Sequence, residues 1–220
     1  MNDKRTIHIM GIGHAAQSPD TVVLSLSLTA RNKEYSAALT IGSQQVEMLR
    51  ESIVEAGFKA KDLKTVNFDV RTIYEDEEYR EGGSKRYRQQ FVGFECQHDL
   101  QMTFDLKNSK LNAVVDKIAA CLSEPKISVA FTLKDTDAFV AKLLKSAARD
   151  AKNKARTLCT AAGVKLGNLI SVDYSHDDIA RQEVRFDNQA VLGCSTDTAF
   201  NFQPDEVQAS GTVDFIWEIE

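Results

Sequence analysis

The 220-residue chain lacks the features that mark several large classes of protein. No stretch approaches the ~20 apolar residues of a membrane span. The first ten residues, "MNDKRTIHIM", lack the apolar core of a signal peptide. The net charge of −5 gives no overall basic field for nucleic acid. We therefore expect a soluble chain with no membrane span and no nucleic-acid partner, cytoplasmic as written unless an export signal has been trimmed.

Paired cysteines, linkers and common catalytic motifs are also absent. Cys96, Cys121, Cys159 and Cys194 stand far apart and form no C-x-x-C pair, so we expect reduced, mostly buried thiols. The motifs G-x-S-x-G, H-E-x-x-H and G-x-x-x-x-G-K-[ST] do not occur. No linker rich in Pro, Gly or Ser interrupts the chain. We expect one domain over residues 1–220, with strand–helix–strand units in both halves allowing a two-lobed form.

Alternating apolar residues are the dominant pattern in the sequence. Apolar side chains at every second position predict strands, and apolar steps of three and four predict helices. The strands are expected near residues 6–12, 21–30, 65–74, 90–106, 126–134, 166–175 and 207–219, and the helices near 34–56, 109–122 and 137–162. This order indicates an α+β fold, with a largely antiparallel sheet of long strands backed by about three helices.

The segment "MGIGHAAQSPD" raises the question of nucleotide binding, because its small residues have the spacing of a phosphate-binding turn. Gly11, Gly13 and Ala16 fit the spacing G-x-G-x-x-A of a dinucleotide-binding turn. That turn must continue into a helix, but Pro19 disfavours one and "TVVLSLSLTA" alternates as a strand. We expect no bound nucleotide, and we assign the glycines to a loop between two strands.

Two groups of residues are candidates for chemistry. Cys96 and His98 share one face of the strand "QFVGFECQHDLQMTFDL" and are suited to a metal, but an apolar face favours packing. The segment "SHDD" contains His176, Asp177 and Asp178, which are suited to acid–base work or a divalent ion, but it falls where turn residues are common. We assign no catalytic, cofactor-binding or metal-binding residue and expect no cofactor.

The longest predicted helix carries an alanine-rich stripe and several basic residues. Small residues allow close approach to a sheet or another helix. The expected stripe comprises Phe139, Leu143, Ala147, Ala151, Leu158 and Ala162. The basic residues Lys145, Arg149, Lys152 and Arg156 lie near one side and suggest either a phosphate-binding stripe or a solvated face. Interleaved Asp150 and the acidic chain favour the solvated face.

The segment "EDEEYREGGSKRYR" is charged and aperiodic. Its acidic half precedes a basic half, with a Gly pair between them. It is typical of a solvated hairpin loop between long strands, and the alternative is a contact loop for a partner.

Four segments, in order, resemble the SIMPL-domain family of bacterial proteins. They are "IHIMGIGHAAQSPDTVVLSLSL", "LRESIVEAGFKAKDLKTVNFDV", "SAARDAKNKARTLCTAAGVKLGNLISV" and "FQPDEVQASGTVDFIWEI". The resemblance implies a bacterial protein of a family whose members are often exported or envelope-associated and sometimes self-assembling, with no known catalytic residue in these segments. The missing export signal favours a cytoplasmic member.

The sequence thus predicts a non-enzymatic, self-associating module that presents an interaction surface. A homo-oligomer is expected through sheet edges, with the strands at 91–104 and 207–219 as candidates, or through the alanine-rich helix. The alternative is a small hydrolase or metal-dependent enzyme that uses Cys96 and His98, or His176, Asp177 and Asp178.

Overall fold

The computed structural model describes residues 5–81, 84–174 and 202–220, and in them the chain forms seven strands and three α-helices. The strands are β1 Thr6–Gln17, β2 Thr21–Asn32, β3 Lys64–Glu81, β4 Ser84–Asp105, β5 Lys126–Thr132, β6 Leu166–Asp173 and β7 Val207–Ile219. The helices are α1 Tyr35–Glu55, α2 Asn108–Ala119 and α3 Thr136–Ala161. The predicted α+β class, with antiparallel pairing and helical backing, is confirmed.

The chain divides into two compact units, which together contain two separate sheets. The first unit comprises the described residues of 1–20, 132–187 and 204–220, and the second those of 21–131 and 188–203. The expectation of one domain over residues 1–220 stays a prediction.

In the first unit, α3 packs on a three-stranded sheet of order β1-β7-β6. Residues of β1 and β7 alternate between the helix side and the open side, because successive strand side chains point to opposite faces. The apolar core between helix and sheet includes Ile9, Phe215 and Trp217, together with Ala147, Ala151 and Ala155. Asp135 caps α3, since its side chain accepts the N–H of Ala138 at 2.8 Å.

In the second unit, β3-β4-β2-β5 forms a four-stranded sheet with an apolar face and a polar face. The apolar residues of β2 at positions 22, 24, 26 and 28 are fully buried in a core to which α1 and α2 also contribute. Helix α1 contributes Val46, Leu49 and Ile53 to that core. The intervening positions of β2 and β4 carry Ser, Thr, Gln, Asp and Glu on the opposite face.

Three local expectations are wrong in detail. Residues 75–81 and 84–88 are strand and not loop, because β3 and β4 continue as a long ladder to the hairpin tip. Leu158 and Ala162 of the expected stripe are exposed, because the buried row of α3 continues at steps of four through Ala155 and Cys159 and the helix ends at Ala161. The helix expected over 109–122 ends early, at Ala119, so Leu122 lies beyond it and is exposed, whereas the adjacent Cys121 is buried.

Candidate functional site

The glycine segment examined for nucleotide binding is the middle of β1, which continues as a regular strand to Gln17. Gly11 and Gly13 lie in the strand, with no positive φ angle. The assignment of these glycines to a loop is therefore wrong. A Cβ built on Gly11 would lie 2.3 Å from the carbonyl oxygen of Ala147, and one on Gly13 would lie 2.4 Å from that of Leu143. The glycines are required because α3 lies directly on the strand backbone.

The alanine stripe of α3 is the other half of this contact. Ala147, Ala151 and Ala155 are fully buried against the sheet. The expectation that small residues allow the helix to approach a sheet is confirmed. A phosphate-binding turn requires a helix after the last small residue, and here that position is still strand.

The free edge of β1 is covered by a row of polar side chains from α3. The N–H of Ile12 donates to Asp150 Oδ2 at 2.7 Å, and the N–H of His14 donates to Ser146 Oγ at 3.2 Å. Lys142 Nζ donates to the carbonyl of Ala16 at 2.7 Å, and Lys154 Nζ donates to that of Met10 at 3.3 Å. We call these four helix residues the edge ladder.

The edge ladder forms because the spacing of its residues along α3 nearly matches the spacing of their backbone partners along β1. Its members are four residues apart in the helix, and their backbone partners are two residues apart in the strand. Four helical residues rise about 6 Å and two strand residues about 6.6 Å. Asp150 also pairs with Lys154 at 2.7 Å. The hydrogen bond from the Ile12 N–H, and to a lesser degree that from Lys154, holds the pKa of Asp150 below its ordinary value. Four outward backbone groups of β1, the N–H groups of Ile12 and His14 and the carbonyls of Met10 and Ala16, are thereby already bonded and less able to recruit another strand.

The strands expected to form sheet edges are interior strands. β7 lies between β1 and β6, and β4 lies between β3 and β2. Their strong alternation therefore reflects pairing on both sides within the chain, and the choice of these two strands as association edges is wrong. In the described residues the edge strands are β1, β6, β3 and β5.

These four edges differ in how they resist pairing with another chain. β1 is closed by the edge ladder, β5 is only seven residues long, and β3 is rich in charged residues. β6, "LGNLISVD", has no charged residue before its last position. Leu169, Ile170 and Val172 are each about half exposed. β6 is thus the described edge that lacks the protective devices found in natural edge strands.

A second exposed apolar surface lies on the β3–β4 hairpin. Tyr74 lies opposite Phe91, with ring centroids 6.1 Å apart, and Phe91 contacts Phe94 at 5.4 Å. Tyr35, at the start of α1, contacts Phe94 edge-on at 5.3 Å. Of these rings, Tyr35, Tyr74 and Phe91 are about half exposed. Tyr87 lies further along the hairpin and is 66% exposed. We call Tyr74, Tyr87 and Phe91 the aromatic face.

The polar face of the second sheet is organised around a buried carboxylate. Glu95 on β4 is 3% exposed and lies between Arg31 on β2 and Arg71 on β3. Arg31 Nη2 approaches Glu95 Oε2 at 2.6 Å, and Arg71 Nη2 approaches Oε1 at 2.5 Å. Burial alone would raise the pKa of Glu95, but the hydrogen bonds and charges of the two arginines lower it below its ordinary value. Glu95 thus ties three strands together as an ionised group.

A second hydrogen-bond network on the same face is centred on Asp99. Asp99 accepts hydrogen bonds from Ser27 at 2.6 Å, Gln97 at 3.1 Å and Asn67 at 3.2 Å. These donors, with Ser27 foremost, hold the pKa of Asp99 below its ordinary value. The polar residues of this face therefore bond mainly to one another across the strands.

Cys96 and His98 lie on the apolar face as expected, but in different surroundings. Cys96 is buried beside Ala30 and Ala38, and burial raises the pKa of its thiol. His98 bonds Thr65 at 3.0 Å and meets the ring of Phe68 edge-on. Burial, followed by the charge of Arg50, lowers the pKa of His98. These contacts favour the packing interpretation over the metal alternative.

The remaining sequence candidates divide between exposed and undescribed residues. Lys145, Arg149, Lys152 and Arg156 are exposed on α3, which fits a solvated face. His176, Asp177 and Asp178, like Cys194, lie outside the described residues. Cys121 and Cys159 are buried and free, like Cys96. Burial raises the pKa of Cys121, but hydrogen bonds from Ser123 and Ser52 bring it below its ordinary value.

Sequence reasoning missed both the edge ladder and the aromatic face. The edge ladder had a signal in the sequence, because a polar residue followed by an apolar one recurs every four residues. The pairs are Lys142-Leu143, Ser146-Ala147, Asp150-Ala151 and Lys154-Ala155. The aromatic face had a weaker one, because Tyr87 lies in the expected charged loop and Phe91 lies four positions later, near the start of the expected strand. Neither pattern indicates its partner, which is distant in the sequence.

The fold and surfaces define an α+β protein of two sheet-and-helix units whose prominent features are sheet edges and faces. Across residues 5–81, 84–174 and 202–220, no three His, Cys, Asp or Glu residues are grouped so as to hold a metal ion. The chain belongs to the SIMPL family, whose model, described as "Protein of unknown function (DUF541)", matches residues 7–217. The predicted family resemblance is thus confirmed.

Two relatives from Brucella match nearly the whole chain. They are the 26 kDa periplasmic immunogenic proteins of Brucella abortus (strain S19) and Brucella melitensis biotype 1 (strain ATCC 23456 / CCUG 17765 / NCTC 10094 / 16M). Each is 22% identical over 216 residues, which cover 97% of this chain and 84% of the relative. Their printed names give no support to the cytoplasmic expectation. No helix in the described part of the chain is both long and apolar enough to cross a membrane.

Proposed function

We propose that this chain is a non-enzymatic binding module that associates with a second copy of itself through the outer edge of β6, with which no described strand pairs. The observation that carries the proposal is the contrast among the described edges. The backbone of β1 is bonded by the edge ladder, whereas β6 presents the uncharged segment "LGNLISV". Among the described residues nothing equivalent to the edge ladder covers β6, and an uncovered apolar edge strand is a template for pairing with another chain.

Pairing of two β6 strands would satisfy the requirements of a symmetric contact. Two identical strands aligned antiparallel about a two-fold axis present the same surface to each other, so the contact closes at two copies. Burying the exposed half of Leu169, Ile170 or Val172 would contribute about 1 kcal/mol per side chain. The ladder of backbone hydrogen bonds between the strands would add specificity of register.

The non-enzymatic part of the proposal has support from the chemistry of the described polar groups. Glu95 and Asp99 are engaged by strand neighbours, and Cys96 is a buried thiol whose pKa is raised. A nucleophile or general base needs a reactive atom that substrate can reach. The two carboxylates instead hold strands together, and Cys96 is packed among apolar residues.

Light scattering coupled to size-exclusion chromatography tests the association. We expect the wild-type protein to have a mass of at least twice the 24.5 kDa of one chain at micromolar concentration. Ile170→Lys places a charge on the β6 edge. It should break this contact and so reduce the measured mass to half the wild-type value. Val54→Lys is the matched control, because Val54 is exposed to the same degree and belongs to α1 of the second unit, not to β6. A wild-type mass of 24.5 kDa that does not change with concentration would refute the proposal.

We also infer that the protein works outside the cytoplasm. The support is the printed location of the two Brucella relatives, which match 97% of the chain. Fractionation of the source cells, with detection of the native protein, tests this inference. Recovery with cytoplasmic markers alone would contradict it.

A further inference from the structure

We propose that the outer part of the β3–β4 hairpin joins copies of this chain head to tail, with β3 of one copy adding antiparallel to the outer edge of β4 of the next. The contact is separate from the β6 edge and goes beyond it, because a head-to-tail contact does not close at two copies. It shares with the proposed function only the premise that the chain self-associates.

The outer part of the hairpin has two open edges. β4 is an interior strand as far as the rung Asn32↔Phe94, which is its last with β2. Beyond that rung, residues 84–93 of β4 have β3 as their sole described strand partner. β3 is an edge strand over its whole length. Because a two-stranded ribbon is marginally stable in water and further strands stabilise it, this part of the hairpin gains from a strand on either side.

Charge on this part of the hairpin is divided by strand and mixed on each face. β3 carries four consecutive acids at 75–78, whereas β4 carries Lys85, Arg86 and Arg88. Since successive residues of a strand point to opposite faces, each face of the hairpin has both acids and bases. A partner on either face would meet both signs, whereas a partner on the β3 edge meets an acidic strand and a partner on the β4 edge meets a basic one.

The hairpin's own register uses little of this division. Glu77 lies opposite Arg88, and Arg88 Nη2 is 2.7 Å from Glu77 Oε2. The other three acids lie opposite uncharged residues, in the rungs Glu75↔Gln90, Asp76↔Gln89 and Glu78↔Tyr87. Lys85 Nζ reaches Glu78 Oε1 at 2.8 Å, but diagonally. The separation of acids from bases therefore exceeds what pairing within one hairpin requires.

Backbone geometry limits the registers in which two copies can pair. In an antiparallel ladder the N–H and C=O of one residue point to the same side, and that side alternates along the strand. β3 of one copy can therefore bond β4 of the next in the hairpin's own register, or in one shifted by an even number of residues. The unshifted register repeats the single acid–base rung and places Arg80 opposite Lys85.

A shift of two residues gives more favourable rungs. It brings three acids of β3 opposite three bases of β4, in the rungs Glu75–Arg88, Glu77–Arg86 and Glu78–Lys85. No two like charges then lie opposite each other over residues 74–78 and 85–89. Opposite charges across neighbouring strands stabilise a sheet, so this register is the one we expect between copies.

The same charges exclude the other pairings of these edges. Two β3 edges would place acid beside acid, and two β4 edges would place base beside base, which like-charge repulsion disfavours. The acids of β3 thus protect that strand from pairing with itself and favour a basic strand as its neighbour. A second copy of this chain is the occupant we assign, because it carries a basic strand of matching length with a free edge.

A charge-exchanged variant tests the contact while keeping the hairpin's own pairs of opposite sign. All proteins carry Ile170→Lys, which removes the β6 contact, and this parent should have a mass above 24.5 kDa that rises with concentration. Reversing β3 alone, with Glu75→Lys and Glu77→Lys, should reduce the mass to one chain. Adding Arg86→Glu and Arg88→Glu completes the exchange and should restore association, because a basic β3 then meets an acidic β4.

Mixing and a control variant test the specificity of the contact. Charge-exchanged chains should not assemble with parent chains, because each edge would then meet its own sign. Energy transfer between separately labelled proteins measures this. Glu47→Lys with Glu51→Lys is the matched control, because it reverses two exposed acids on α1 and should leave the mass of the parent unchanged.

The outcomes separate this contact from the β6 edge. A single-chain mass for Ile170→Lys, with a larger wild-type mass, would overturn the hairpin contact and leave the β6 proposal standing. Free assembly of charge-exchanged with parent chains, or a single-chain mass for the charge-exchanged protein, would also overturn it. A wild-type mass unchanged by Ile170→Lys but reduced to one chain by reversing β3 would overturn the β6 contact instead. A single-chain mass for the wild type would overturn both.

Discussion

Replacing Gly11 by alanine should destabilise the first unit, although alanine normally favours an ordered chain. A Cβ on Gly11 would lie 2.3 Å from the carbonyl oxygen of Ala147 and 2.8 Å from the Cβ of Ala151. Ordinary van der Waals contact begins near 3.4 Å, so helix and strand must separate by about 1 Å. The obstructing oxygen belongs to the helix backbone and cannot rotate away as a side chain would.

The magnitude follows from the contacts that this separation weakens. Inserting a methyl group into a packed core costs typically about 1–3 kcal/mol. A gap of about 1 Å also forfeits up to half of the dispersion energy of the atoms that move apart, here including Ala147 and Ala151. Alanine in place of glycine returns about 0.5–1 kcal/mol by restricting the unfolded chain. We therefore expect Gly11→Ala to lower the free energy of unfolding by about 2 kcal/mol.

Urea denaturation followed by circular dichroism measures this change. Ala16→Val is the control, because it enlarges an exposed side chain on the same strand and should leave the stability nearly unchanged. Gly13→Ala should behave like Gly11→Ala, since its Cβ would meet the carbonyl oxygen of Leu143. The reasoning would be refuted if Gly11→Ala were as stable as the wild type or more so.

Three other measurements address the carboxylates and the buried thiol. Glu95→Gln should lower stability at pH 7 by about 1–3 kcal/mol, because charged hydrogen bonds to two arginines are lost. The folded-state pKa of Glu95 is lower than its unfolded-state pKa, which is near 4.3. The stabilisation from ionised Glu95 is therefore complete above the unfolded-state pKa and is lost as pH falls through the folded-state pKa. Urea titrations should show the stabilities of wild type and Glu95→Gln converging in acid. Asp150→Ala should increase hydrogen exchange at the Ile12 amide more than at amides bonded between β1 and β7, and unchanged protection there would count against the edge ladder. Cys96→Ala should cost about 1–2 kcal/mol through a small cavity and leave the metal content unchanged, whereas loss of stoichiometric zinc from chelator-free protein would contradict a packing role.

Sequence periodicity was sufficient for most elements because burial on one side imposes a period on the side chains. The alternation of β2 and β7 and the three- and four-residue steps of α1 all predict their elements closely. The outer hairpin was missed because its side chains at 75–78 and 85–88 are mostly exposed on both faces, so charges occupy both and no period appears. Local pattern also cannot specify which strands are neighbours, which is why β4 and β7 were expected at edges.

The candidate site was less predictable because it depends on distant pairs. Gly11 and Gly13 had the spacing of a phosphate turn, but their role is defined by Ala147 and Leu143, more than 100 residues later. Glu95 was not singled out, because a lone acidic residue in an apolar strand shows no sign of Arg31 and Arg71 on the flanking strands. In these cases the sequence shows the residue type but does not show the distant residue that it contacts.

The edge ladder also limits its own length. Each rung advances about 6 Å along the helix but about 6.6 Å along the strand, so successive rungs drift apart by about 0.6 Å. Over the three steps from Lys142 to Lys154 the mismatch reaches roughly 2 Å. The short side chains, Ser146 and Asp150, occupy the middle rungs, and the two long, flexible lysines occupy the ends, where reach matters most. A strand much longer than β1 would outrun the pitch of any straight helix laid beside it, so this way of sealing a sheet is confined to about four rungs.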